Sequence, residues 1–166
     1  MKLNLDAVGR SSLLTKIEST YSGSPQFASV FPLFESCVMF PSDDLTEFLA
    51  NSLGTLMCHV GLRPEIIRSS SLGIDGELTG QRRILEICNQ IGCAHYINLS
   101  GGRKLYDHDH FAAEDIVLEF VDSRLAPYPQ HCQRGQFIPG LSILDVMMEN
   151  DSDETGRLLS DYSLGI

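Results

Sequence analysis

A chain of 166 residues, 43% of them hydrophobic, is long enough to close one core and bury roughly two thirds of the surface that its unfolded form exposes. Twelve Lys and Arg stand against 22 Asp and Glu, a formal net charge of −10, and a field of that sign repels the phosphate backbone of nucleic acid and the anionic surface of a membrane. No apolar run approaches the ~18 residues needed to cross a bilayer, and the start, Met1-Lys2-Leu3-Asn4-Leu5-Asp6, has no stretch apolar enough for a signal peptide. The chain therefore reads as a cytoplasmic protein with no membrane span and no nucleic-acid partner. Five cysteines, Cys37, Cys58, Cys88, Cys93 and Cys132, are an odd number without CxxC spacing, which suits small apolar residues in a reducing compartment rather than disulfides.

The first 62 residues read as mostly helical. Lys2 to Leu5 alternates polar and apolar and suggests a short strand. Leu13, Leu14, Ile17 and Tyr21 predict a helix capped by Ser11 or Ser12 and stopped at Ser22-Gly23. Ser24-Pro25 opens a second, with Phe27, Val30, Phe31 and Phe34 as its stripe; Pro32 has no N–H for the Ala28 carbonyl and should kink or divide it. Asp44 with Glu47 starts a third, carrying Leu45, Phe48, Leu49, Leu53, Leu56, Met57 and Val60 before Gly61.

From residue 63 to 125 strands alternate with helices. Glu65 to Arg68 reads as a strand, a helix follows through Ile84, Ile87, Cys88 and Ile91 to Gly92, and Cys93 to Ile97 is the next strand. Asp107 or Asp109 caps a short helix, and Ile116 to Val121 is the third strand. Alternation of this kind predicts an α/β fold, a three-layer Rossmann-like βαβαβ core with a parallel sheet behind an N-terminal helical segment. Residues 126 to 166 form a loop and C-terminal helices, one opened by Ser142 with Asp145 and one around Glu154 to Tyr162. With no internal repeat or low-complexity linker, the chain reads as a single domain.

In an open parallel sheet, ligands bind beyond the carboxyl ends of the strands. Ser69 and Ser70, Ser100, Gly101, Gly102 and Arg103, then Tyr128 and Gln130 follow the three predicted strands and are the candidate ligand-binding residues. Two glycines permit close backbone approach to an anion, and Arg103 offers a planar bidentate donor to phosphate or carboxylate. Pro127 and Pro129 fix φ on either side of Tyr128 and hold it rigidly. The expected ligand is a small anionic molecule, nucleotide-activated or a carboxylate. Asp107-His108-Asp109-His110 lacks partners at metal-ligand spacing, so neither a metal nor another cofactor is expected. His131-Cys132 resembles a Cys/His nucleophile pair, but adjacent residues do not easily face each other and no third, orienting group is evident; His95, in a strand, reads as a core histidine. No catalytic residue is assigned.

Read together, Arg83 to Cys88 with Ile91-Gly92, Tyr96, Ser100 to Arg103 with Tyr106-Asp107, Glu119-Phe120, Pro127 to Gln130 and Leu141 to Asp145 resemble the WbqC-like family. Lys16, Glu18, Tyr21, Pro25 and Phe27 fit the same pattern, so that the resemblance covers about residues 11 to 160. It implies a transferase of a glycine, aminoacyl or sugar-derived group in bacterial surface-polysaccharide and O-antigen biosynthesis. Family members usually carry a further amino-terminal region, which this chain reads as lacking. The alternative is therefore a truncated, non-catalytic module that binds a ligand or a protein, including a second copy of itself.

Overall fold

The computed structural model describes residues 2–131 and 136–166. Along the chain come α1 (Ala7–Tyr21), α2 (Phe27–Val38), α3 (Leu45–His59), α4 (Gly80–Gln90), β1 (His95–Leu99), α5 (His108–Ala112), β2 (Val117–Ser123), α6 (Ile143–Glu149), α7 (Ser152–Leu159) and β3 (Tyr162–Gly165). Two compact units result: Met1–Ile66 with Leu125–Ser160, and Ile67–Arg124 with Asp161–Ile166.

The first unit is helical. Asp6 accepts the Gly9 N–H at 2.7 Å, so α1 starts earlier than the expected serine caps, because a carboxylate at the N-cap satisfies an otherwise unpaired donor. Arg10, in the first turns of α1, donates to the carbonyls of Val38, Phe40 at 3.1 Å and Ser42 at 3.4 Å, and so closes the C-terminal end of α2 with a cation. The expected strand at Lys2 reduces to a single antiparallel bridge with Asp44. α2 runs through Pro32 as one 12-residue helix rather than dividing there. Asp44 accepts from Thr46 and Glu47 at the start of α3, as its spacing predicts. Val30, Met147 and Met148 are the sealed centre of this unit, with Ile17, Phe27, Phe31 and Leu56 packed around them. Each such side chain contributes roughly 1.5–3 kcal/mol by leaving water.

The second unit is built on a three-stranded sheet in the order β1-β2-β3. β1 and β2 are parallel, with Tyr96 beside Leu118 and Asn98 beside Phe120, while β3 returns antiparallel with Leu164 beside Val121. The structure is α/β, as predicted, but its sheet is small and mixed, so that only one parallel crossover stands where a parallel βαβαβ core was expected. Two local misreadings explain the difference. Glu65 to Arg68 forms no strand, and Ile66 and Ile67 stay 43% and 44% exposed. The last helix ends at Leu159, and Tyr162, expected on it, begins β3. One sheet face is closed by Cys88 of α4 and Phe111 of α5 against Leu118 and Phe120. The other face is open: Leu99 and Val117 are 68% and 56% exposed. His95 lies on that open face, paired with Glu119 at 2.5 Å, rather than in the core.

Candidate functional site

The helical unit buries two carboxylates one turn apart on α6, Asp145 and Glu149. Ser142 caps α6 by accepting the Leu144 N–H at 3.3 Å, which leaves the Asp145 side chain free of the capping role expected for it. Asp145 instead collects three donors. Tyr21 at the end of α1 donates to Oδ1 at 2.8 Å, and Tyr128 and the Gln130 amide donate to Oδ2 at 2.7 and 3.2 Å. A buried charge with several charge-assisted hydrogen bonds is tolerated where a bare one is not. Tyr128 also meets the Phe137 ring edge-on at 5.3 Å. Burial, then the bond to Asp145 and the charges of Asp145 and Glu149, push the Tyr128 phenol up to about 12.

Glu149 is sealed at the side-chain level, 0% exposed, yet it bonds to a histidine that is 54% exposed: Oε2 lies 2.5 Å from Nδ1 of His131. Its Oε1 accepts the Ser24 hydroxyl at 2.9 Å. Ser24, predicted as a helix N-cap, thus serves a carboxylate instead; α2 begins after Gln26. A neutral imidazole that donates its Nδ1–H to an ionised carboxylate keeps its lone pair on Nε2. This is the orienting group that the sequence did not reveal for His131. Cys132 lies outside the described residues.

In the sheet unit, Ser100–Gly102 forms a 3-10 turn immediately after β1, with Gly102 buried and Arg103 as its C-cap. A Cβ at Gly102 would lie 3.0 Å from the Asn98 amide and 3.3 Å from the Tyr106 ring, so both side chains would have to give by a few tenths of an ångström. The Arg103 fork is engaged: Nη1 and Nη2 donate to Asp122 at 3.1 and 2.8 Å, Nε faces the Ile166 carbonyl at 3.4 Å, and the guanidinium lies 5.1 Å from the Phe120 ring centre. Ser69 and Ser70 belong to another exposed 3-10 turn, with no strand before it. Of the eight candidate ligand-binding residues, the structure joins Tyr128 with Gln130 on Asp145, and Ser100 through Arg103 in one turn.

A cleft of about 630 Å3 in the same unit runs between the start of α4 and the segment leading into α5, lined by Thr79, Gln81, Arg82, Lys104, Tyr106 and His110 among others. Gln81 joins its walls, accepting the Asp107 N–H at 2.5 Å and meeting His110 Nδ1 at 2.8 Å. Asp107 caps α5 by accepting from Asp109 at 3.0 Å, as predicted. Among the described residues no group of three or more His, Cys, Asp or Glu is placed to hold a metal ion.

A small mixed sheet closed on one face by helices, and a helical unit that spends its buried polar capacity on two acids and a histidine, define an α/β protein organised around polar side-chain networks. The chain belongs to the WbqC-like protein family, whose model matches residues 1–156. No match was found among curated proteins, and none among solved structures. No helix of the described residues is long and apolar enough to cross a membrane.

Sequence reasoning missed Asp145 as the acceptor of Tyr21, and Glu149 as the partner of Ser24 and His131. A signal was present: Ile143-Leu-Asp-Val-Met-Met-Glu149 places acids at i and i+4 in an otherwise apolar helix, where a carboxylate needs a partner.

Proposed function

We propose that this protein is a transferase that moves a glycine, aminoacyl or sugar-derived group onto an acceptor in bacterial surface-polysaccharide biosynthesis, with His131 as the group that removes the acceptor's proton. The observation that carries this reading is the sealed Glu149 carboxylate bonded to the Nδ1 of an exposed histidine. Such a partner favours the tautomer with the proton on Nδ1 and stabilises the imidazolium formed when Nε2 takes a proton. A hydroxyl or amine acceptor would lose its proton to Nε2 as it attacks the activated carbonyl or anomeric carbon of the donor, and the donor's leaving group would depart with the displaced electron pair.

A non-catalytic binding module is the second reading, favoured by the saturation of Arg103 and Asp145, whose donors and acceptors are already engaged within the chain. The two separate by product analysis. The protein is incubated with aminoacyl-adenylate or nucleotide-sugar donors and amino-sugar acceptors, and products are followed by mass spectrometry. Product that forms with the native protein and falls at least about a hundredfold in His131→Ala supports the transferase, since general-base catalysis contributes on this scale. Product formation untouched by that substitution, or none from any donor pair, rejects it in favour of the binding module.

A further inference from the structure

We propose that the cleft between the start of α4 and the segment 104–110 binds the phosphate oxygens of a nucleoside diphosphate. The charge inventory carries the inference. In a chain of net charge −10, most arginines are already engaged: Arg103, Arg124 and Arg157 on carboxylates, Arg10, Arg63 and Arg83 on carbonyls. Arg82 and Lys104 form no ion pair among the described residues, and both line this cleft. Two cations that line one cleft and form no ion pair among the described residues are a site for an anion with several oxygens, and a guanidinium with an ammonium suits phosphate.

The cleft also has the right frame. Its volume of about 630 Å3 falls in the range of small-molecule sites, roughly 300–1,000 Å3. Gln81 spans its walls with two side-chain hydrogen bonds, so the shape is set before a ligand arrives and less ordering is required on binding. Thr79, which lines the cleft, stands in the N-cap position of α4 without a side-chain cap bond. Asp107 is the acid of the lining; its Oδ1 accepts from the Asp109 N–H at 3.0 Å and its Oδ2 lies 3.6 Å from His110 Nδ1, so the carboxylate is held within the chain. Leu85 and the 71% exposed Leu105 offer apolar wall to a nucleoside.

The inference deepens the transferase reading, because an activated donor would carry such a group, but the binding is measured without any reaction. Calorimetry at low salt uses UDP, ADP, inorganic pyrophosphate, uridine and acetate as probes, and amide NMR locates the site. Expected are UDP or ADP binding more tightly than pyrophosphate, none for uridine or acetate, and amide shifts at 80–83 and 104–107. Arg82→Ala and Lys104→Ala each weaken pyrophosphate about tenfold, as loss of one charge-assisted contact implies. Arg103→Ala, whose fork is held by Asp122, leaves it within about twofold. Equal affinity in the Arg82→Ala/Lys104→Ala protein, shifts confined elsewhere, or acetate competing as well as pyrophosphate overturns the proposal. Both side chains are exposed, so the variants fold, and their unchanged remaining amide signals verify it. Binding that survives while His131→Ala and native protein are equally inactive would reject the transferase and keep the cleft.

Discussion

Replacing Asp145 with alanine removes the acceptor shared by Tyr21, Tyr128 and Gln130, three donors from two separate stretches of chain. A hydrogen bond to a charged partner contributes about 1.5–3 kcal/mol, but the three are not additive because they share one carboxylate. Asp145 is 2% exposed and its three donors are half-buried; leaving neutral donors of this kind without an acceptor costs about 1–3 kcal/mol each, so that a total of about 3–5 kcal/mol is expected. Against a total stability of roughly 5–15 kcal/mol, that is enough to bring the helical unit close to unfolding at room temperature. Asp145→Asn keeps the shape but offers one acceptor oxygen, and should cost about 1.5–3 kcal/mol. Urea unfolding followed by helical ellipticity measures both. Asp145→Asn should also move the Tyr128 phenol, held up to about 12, downward, since the charge of Asp145 is one of its causes and is lost. The sign for stability follows: a folded-state value above the unfolded one of about 10 means the fold holds the proton more tightly. Stability is full below pH ~10 and falls by about 2 kcal/mol between pH ~10 and ~12 in the native protein, and by less in Asp145→Asn. An Asp145→Ala cost below about 1 kcal/mol, or a Tyr128 phenol that titrates at its ordinary value, would refute the reasoning.

Phe120 is wholly buried where β2 meets α4 and α5, so Phe120→Ala should cost about 3–5 kcal/mol in thermal or urea unfolding. Leu99→Ala, on the open face, should change stability by less than about 0.5 kcal/mol in the same assay. Cys88 is 2% exposed, and burial with the neighbouring Cys93 pushes its thiol up to about 11. In a thiol-titration time course at pH ~7.5 it should therefore react far more slowly than exposed Cys58.

Local chemistry was legible in the sequence, and long-range partnership was not. Asp44, Asp107 and Ser142 cap the helices that their spacings announce, because a cap is decided within three or four residues. The parallel pairing of β1 with β2 likewise followed from alternating strand and helix. Glu65 to Arg68 failed for the opposite reason: two adjacent isoleucines look like a buried strand, but a strand exists only when another pairs with it. Tyr162 to Gly165 has an apolar residue near a helical stripe, and only the hydrogen bonds to β2 decide that it is extended. In the candidate site, the rigid Pro-Tyr-Pro-Gln segment identified Tyr128 and Gln130 as fixed groups, though not what they hold. Asp145 lies 17 residues from Tyr128 and 124 from Tyr21, and nothing local marks such pairs. Arg103 was legible as a forked donor, while nothing local marks Asp122, 19 residues on, as its partner.

The central claim is that buried Glu149 holds the His131 ring with Nε2 open to accept a proton. Imidazole nitrogen NMR of 15N-histidine-labelled protein tests it most directly. The account predicts that the neutral His131 ring carries its proton on Nδ1, with Nε2 unprotonated, and that this preference weakens in Glu149→Gln. A neutral ring protonated on Nε2, or one whose tautomer is indifferent to that substitution, would contradict it.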